Sequence, residues 1–565
     1  MKLEPETRTK PFLFLMSVIL VTLFSPVSSL GTDPVLYNGI VLPDDWPPSE
    51  KSDPRAPAPY LSSPPQVIPI DAGRQLFVDD FLIESTSCRR TFHRAENYAG
   101  NPVLRPDKPW ENPKPSPQQR GDIGGLVART APFSDGVWYD PEDGLFKMWY
   151  MAGSYPRETC YAASRDGLHW HKPVLDVVNG TNIVLPTDGD RRDANTVWLD
   201  LNEKDPRRRY KMWQVMHYGK GMSDSRLNYY ISADGIHWSR EAVSDKHLRG
   251  ERTTVFYNPF RKVWVYSIRN NSGGRHRDYQ EDADPRRGTR EVEKHATPWV
   301  CADSLDLRLQ GVACQLYNLD GFAYESLILG LFSIWRGDPR IDPEGMPKYY
   351  TDVCIGYSRD GFHWTRPDRQ PFCATSNDEK EWNWNDVQSA GGGCLVVGDR
   401  LYFYLSGAAA RTSASSLVGP GYAGLMFLRR DGFASLDAGE EGGWLTTRPV
   451  VFTGKYMFVN VDCEEGELQV EILDGRNEVI APYTRNNCIP IKTDKTLQAV
   501  EWKGANDLSR LSGKAVKFRF HLTHGNLYAF WVTQEANGAS FGYVAAGGPG
   551  LQGHVDTLGA DGYPE

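Results

Sequence analysis

The pattern Ser-x-Asp-Gly-x-x-Trp occurs three times, at Ser164–Trp170, Ser232–Trp238 and Ser358–Trp364, and a shorter copy follows at Arg430-Asp431-Gly432-Phe433. Asp166, Asp234, Asp360 and Asp431 are 68, 126 and 71 residues apart. The middle interval is close to twice the others, so a fifth unit without the signature lies inside it. A long repeat whose units carry strand-like apolar runs is how a sequence specifies blades set around an axis. The expectation is an all-β fold whose main body, over 67–442, is a five-bladed β-propeller.

Within four units the runs pair as hairpins. Gly136–Tyr139 and Leu145–Tyr150 flank Asp140-Pro-Glu-Asp-Gly144, and Asn195–Leu199 is followed by Tyr210–Val215. Thr253–Tyr257 precedes Val263–Ile268, and Gly393–Val397 precedes Leu401–Leu405. The fourth unit is read as starting at Glu325–Trp335, with Gly330 its only turn residue, and the third, decayed unit as ending at Val300–Ser304. Gln75–Glu84 alternates like a strand and is expected to close the ring. Beyond Trp444, evenly spaced short strands such as Tyr456–Val461, Glu467–Leu473 and Val516–Leu522 predict a C-terminal β-sandwich over 443–545, followed by a tail over 546–565.

At the other end, Lys2, Arg8 and Lys10 precede the apolar run Pro11–Phe24 and the small residues of Ser25–Ser29. This reads as a secretory signal peptide over 1–29, since the run is short for a membrane span. A secreted or periplasmic protein, free of the membrane after cleavage, is expected. Residues 30–66 are rich in Pro, Ser and Asp and read as an extended linker. A net charge of −9 gives no reason to attract nucleic acid. Nine cysteines without a CxxC pair give no support to a zinc site, and no metal or cofactor is expected. Cys463 and Cys488 form the one candidate bridge; Cys160, Cys354 and Cys394 read as small buried hydrophobes. The sequence leaves the oligomeric state open.

In a propeller the residues just before each first strand converge on the axis. Those positions hold Asp193 and Asn195, Glu251 and Arg252, Tyr324 and Glu325, and Asp386 and Gln388, with Asp135 and Glu111 from the first unit. Carboxylates that recur at equivalent points and share one mouth suit glycoside hydrolysis, which needs one protonated and one ionised carboxyl. Trp382 and Trp384, ahead of the fifth unit, either stack on a sugar or plug the last blade. The basic stretch from Arg269 to Arg290 is either a solvated insertion or a lid for anionic sugars.

The repeated turn resembles the Asp-box of sialidase-type propellers, where it is structural. Its Asp-Gly makes a tight turn and its Trp fills the gap between strands, so Asp166, Asp234 and Asp360 are excluded from the site. An exported five-bladed propeller followed by a β-sandwich resembles glycoside hydrolase family 32, and its blades are similar to those of family 43. Asn101–Glu111 also looks like the opening of such sugar-active propellers. The family-32 signatures Trp-Met-Asn-Asp-Pro-Asn-Gly, Arg-Asp-Pro and Glu-Cys are absent. The resemblance implies a glycoside hydrolase with a carbohydrate substrate, in which Glu325 is the general acid, its carboxyl raised by the apolar strand it opens. It implies an orienting role for Asp193. Glu251 is the base or nucleophile, with Glu111, Asp79 and Asp80 as alternatives. Arg252, Asn195, Glu111, Tyr324, Trp382, Trp384, Asp386 and Gln388 are the expected substrate contacts. Two other readings stay open: a non-catalytic carbohydrate-binding propeller, and a sialidase-type exo-glycosidase using Tyr324-Glu325 with Arg252 and Arg269.

Overall fold

The computed structural model describes residues 35–49, 55–112, 127–153, 157–219, 224–306, 313–336, 351–384, 386–410 and 419–562. The segment read as a signal peptide lies outside them. The fold is nearly all β, with two short α-helices, Pro59–Ser62 and Pro285–Arg290, among the described residues. No helix there is long and apolar enough to cross a membrane.

Aromatic and β-branched runs build five antiparallel units in chain order. The first has Val137–Asp140, Leu145–Ala152, Glu158–Ser164 and Ile183–Leu185; the second has Arg191–Leu199, Tyr210–Tyr218, Asp224–Ser232 and Ser239–Val243. The third has Thr254–Asn258, Val263–Asn270, His276–Asp282 and Thr297–Cys301. The fourth has Gln315–Glu325, Leu327–Trp335 and Thr351–Ser358, and the fifth has Asp386–Val397, Arg400–Ala408 and Gly421–Arg429. These last two are joined by a single parallel bridge, Thr351 to Asp386. The first strands touch in a cycle: unit one meets two, two meets three, three meets four, four meets five, and five returns to one.

The fourth unit corrects the sequence reading. Its first strand is Gln315–Glu325, and the hairpin turns at Glu325-Ser326, so Glu325 ends the inner strand instead of opening it. Glu325 takes φ +49°, a left-handed turn made without glycine. In the third unit the place of the Asp-Gly turn is filled by the helix Pro285–Arg290, capped by Asp284. The expected end at Val300–Ser304 is instead the outermost strand.

The Asp-Gly turns clamp neighbouring units. Asp166 Oδ1 accepts from the amides of Leu168 and His169, and Asp234 and Asp360 repeat this on their own turns. Trp149 of unit one donates to Gly235 O at 2.7 Å, and Tyr404 of unit five donates to Gly167 O at 2.6 Å. Where the turn is missing, Trp213 of unit two donates to Thr289 of the replacing helix at 3.1 Å.

Two further sheets face each other across Phe77, Phe518, Phe520 and Phe530, whose rings lie 5.4–6.4 Å apart where they meet. They hold Tyr456–Asp462, Glu467–Leu473, Lys517–Thr523 and Gly525–Thr533, and they recruit Gln75–Leu76, Ile83–Thr86 and Arg89–Phe92 from far upstream. Gln75–Glu84 therefore serves this module, and the strand added to the fifth unit is Glu96–Asn97. Residues 35–49 and 55–66 are no extended linker either: Leu36, Ile40 and Tyr60 are buried, and Tyr37 stacks on Phe260 at 4.0 Å. Cys463 and Cys488 are both free thiols, so the candidate bridge between them is not formed.

The tail crosses the C-terminal ends of the inner strands. Tyr139 N donates to Ala546 O, Val396 N to Gly547 O, Ala545 N to Ala323 O and Leu201 N to His554 Nε2. Beside it, a buried cluster ties the units to the paired sheets. Arg74 bonds Asp431 at 2.8 Å and stacks 4.2 Å from the Trp531 ring, and Arg430 bonds Asp556 at 2.6 Å.

Candidate functional site

The opposite, N-terminal ends of the inner strands are polar, and hydrogen bonds between units set them level. Val197 N donates to Asp135 O, and Thr254 Oγ1 donates to Leu319 O. Asp320 Oδ2 collects Ser134 Oγ, Asn318 Nδ2 and Ser389 Oγ at 2.6–3.1 Å, joining the first, fourth and fifth units.

Arg252 is the hub. Its Nη1 donates to Gln388 Oε1 at 2.8 Å, and its Nε lies 3.9 Å from Asp193 Oδ1. Its guanidinium is 4.2 Å from the Phe133 ring and 5.0 Å from that of Tyr317. One side chain from the third unit thus reaches the other four. Arg252 takes φ +60°, and Arg277 Nη2 holds its carbonyl at 2.8 Å, so the surroundings fix a backbone that a non-glycine residue adopts at a cost.

Asp193 is aimed by a bulge. The strand register pairs Arg192 with Met216 and Asn195 with Gln214, leaving one extra residue on the Asp193 side. Burial alone would raise the Asp193 carboxyl, but the nearby His217, Arg252 and Arg157 more than offset it and hold it well below the usual range. Glu251 stands beside it and accepts from Arg269 Nη1 at 2.7 Å. Asp386 differs. Burial pushes its carboxyl up to about 6, against the opposing hydrogen bond from Gln388 at 2.7 Å and the charges of Arg252 and Arg129. One site thus holds an ionised and a protonatable carboxyl, linked through Arg252 and Gln388.

Buried polar atoms without a hydrogen-bond partner gather in the same place: Asn195 Oδ1, His217 Nε2, Arg252 Nε, Asn318 Oδ1 and Asp386 Oδ1. Each costs about 1–3 kcal/mol when left unmet. A binding site retains that cost because a polar ligand removes it.

The structure brings together Asp193, Asn195, Glu251, Arg252, Asp386 and Gln388, and sets other expected residues apart. Glu325, read as the acid, is fully buried with Ser540 donating to it at 2.8 Å and Arg74 and Arg430 alongside. Tyr324 donates to Asp431 at 2.7 Å in the same cluster, so the Tyr-Glu pair of the sialidase reading is away from the mouth. Both misplacements follow from the missed strand Gln315–Glu325. Glu111 is enclosed by Tyr150, Lys172 and the amides of Asp107 and Lys108. Asp79 is paired with Arg359 and Asp80 with Arg90. Trp382 lies flat on Gly407 and Gly424, where a Cβ would come within 2.2 Å, and so plugs the fifth unit; Trp384 remains half-buried. His217, Tyr317, Asn318, Asp320 and Ser389 were not anticipated as site residues. His217 was legible in principle, because a hairpin that starts near Arg191 returns to it.

A mainly apolar cavity of about 220 Å³ between Pro57, Trp299, Phe362 and Arg366 is elsewhere, near the Asp360 turn. Its aspartate, Asp303, is already paired with Arg369, so it offers no free carboxylate chemistry.

No family model and no curated protein matches the sequence. Among solved structures, the chain is similar to an N-acetylgalactosamine deacetylase from F. plautii in complex with blood group B trisaccharide, at 13% identity and TM-score 0.42, over 60% of this chain and 96% of that one. It is similar to a member of glycoside hydrolase family 130, described with β-1,2-mannosidic linkages of Candida mannan, at 14% identity and TM-score 0.39 over 61% and 97% of the two chains. A fructofuranosidase from Schwanniomyces occidentalis in complex with fructosylnystose is similar at 10% identity and TM-score 0.34, over 72% and 97%.

Proposed function

We propose that the protein is an exported carbohydrate-active enzyme that cleaves a glycosidic bond at the mouth of a closed five-bladed propeller carrying a β-sandwich. The cycle of contacts between the five first strands supports the propeller, and the two facing sheets support the sandwich. The observation that carries the chemistry is the pairing of Asp386, raised to about 6, with the ionised Asp193 around one arginine. Asp386 gives its proton to the leaving oxygen. Asp193 and Glu251 supply the negative charge that the oxocarbenium-like transition state requires, and Arg252 with Gln388 orients the ring hydroxyls. The test is a screen of neutral and anionic polysaccharides for released reducing ends, with Asp386→Asn as control. Release that falls about 10²–10⁴-fold in the variant supports the reading. Binding without release from any of them favours a carbohydrate-binding propeller instead.

A further inference from the structure

Where the second and third units meet, one ring nitrogen of His217 and one oxygen each of Asp193 and Glu251 lie within 4.8 Å of one another. Acidic pairs near an imidazole are common, but here the two ring nitrogens behave differently. His217 Nδ1 is 2.6 Å from Ser225 Oγ, which fixes the ring. Nε2 belongs to a side chain only 1% exposed and has no hydrogen-bond partner. It faces Asp193 Oδ2 from 3.6 Å, beyond hydrogen-bond range. Two donor atoms held tetrahedrally by one ion, each at about 2.0–2.1 Å, stand about 3.3 Å apart. The observed gap therefore suits a shared ion better than a direct contact.

We propose that Asp193, His217 and Glu251 bind one divalent first-row transition-metal cation. An imidazole with two carboxylates and no thiolate suits the Zn²⁺ and Mn²⁺ class; Ca²⁺ takes oxygen ligands alone and Cu⁺ prefers sulfur. Ser225 is the outer partner that orients the ligating ring. The neighbouring arginines leave room for this. Arg269 engages Glu251 Oε1 and Arg252 approaches Asp193 Oδ1, so each carboxylate has a second oxygen to give. Three protein ligands leave at least one position for a water or a substrate hydroxyl. The inference concerns ion binding and does not depend on which bond the site cleaves; with the ion bound, Asp193 and Glu251 hold it, and the negative charge assigned to them above is that of the ion-free site.

The test uses the full chain, stripped with chelator and titrated by calorimetry with MnCl₂ and with ZnCl₂; crystals soaked in Mn²⁺ are measured for anomalous scattering. One ion per chain is expected, with an anomalous peak between the three side chains. Affinity should fall at least about 100-fold in His217→Ala and about 10-fold in Ser225→Ala. If His217→Ala does not fold, Glu251→Gln carries the first expectation. No binding of either ion by the folded wild type overturns the proposal, as does binding that survives these variants or a peak elsewhere. The Asp386 reading is tested by turnover and release of reducing ends and this one by ion stoichiometry and the anomalous peak, so failure here is distinguishable from failure of the glycosidic reading.

Discussion

Replacing Asp386 by asparagine tests the acid through stability and rate together. Its carboxyl moves from an ordinary 3.8 to about 6 on folding because burial disfavours the charged form. Each pK unit is worth about 1.4 kcal/mol, so ionising Asp386 in the folded protein costs about 3 kcal/mol more than in the unfolded chain. The sign follows: the stabilisation is fully present below pH 4 and is lost as the pH rises through 6. The carboxamide of the variant cannot ionise, and its carbonyl can still accept from Gln388. Relative to wild type, Asp386→Asn should therefore gain about 2–3 kcal/mol between pH 4 and pH 8. Urea unfolding followed by tryptophan fluorescence at pH 4, 6 and 8 reads this directly. Over the same range, wild-type turnover should fall as the pH rises past 6, when the donor loses its proton, while the variant stays slow throughout. A stability gap that is equal at pH 4 and pH 8 refutes the argument, because Asp386 would then titrate like a solvated carboxylate and could not serve as the acid.

Three other substitutions probe other links of the argument. Arg252→Lys keeps the charge but loses the planar fork that spans Gln388 and Asp193; kcat/KM should fall about 10–100-fold with little change in melting temperature, and near-wild-type kinetics would remove Arg252 as the hub. Glu325→Gln should lower the unfolding free energy by about 1–3 kcal/mol through the Arg74 and Arg430 cluster, with turnover within about twofold; a large loss of turnover in a stable variant would return Glu325 to the chemistry. Trp149→Phe removes the donor to Gly235 O and should cost about 1–3 kcal/mol in urea unfolding, whereas an unchanged midpoint would show that the clamp carries no stability.

The units were legible because each hairpin begins and ends with turn residues and packs with aromatic residues. Asp193, Glu251, Arg252, Asp386 and Gln388 followed from one rule, that polar residues ahead of an inner strand face the axis. That rule failed for Glu325. Gln315–Glu325 and Leu327–Trp335 run together as one apolar stretch, and the turn between them has no Gly or Pro to announce it. Asp320, the true inner-strand carboxylate of that unit, was hidden as a consequence. The closing strand was misread for a different reason: Glu96–Asn97 is two polar residues held by backbone bonds to Met426 and Phe427, with no apolar alternation to detect. The bulge that aims Asp193 also leaves no trace in composition, since its cause is a register shift set by both strands.

Ala545, Ala546 and Gly547 lie across the inner strands at the end away from Arg252, and three backbone hydrogen bonds seat them there. A ligand of the proposed site therefore meets these residues only after passing the polar ends of the inner strands. Under the proposed cleavage, both products leave from that same polar end.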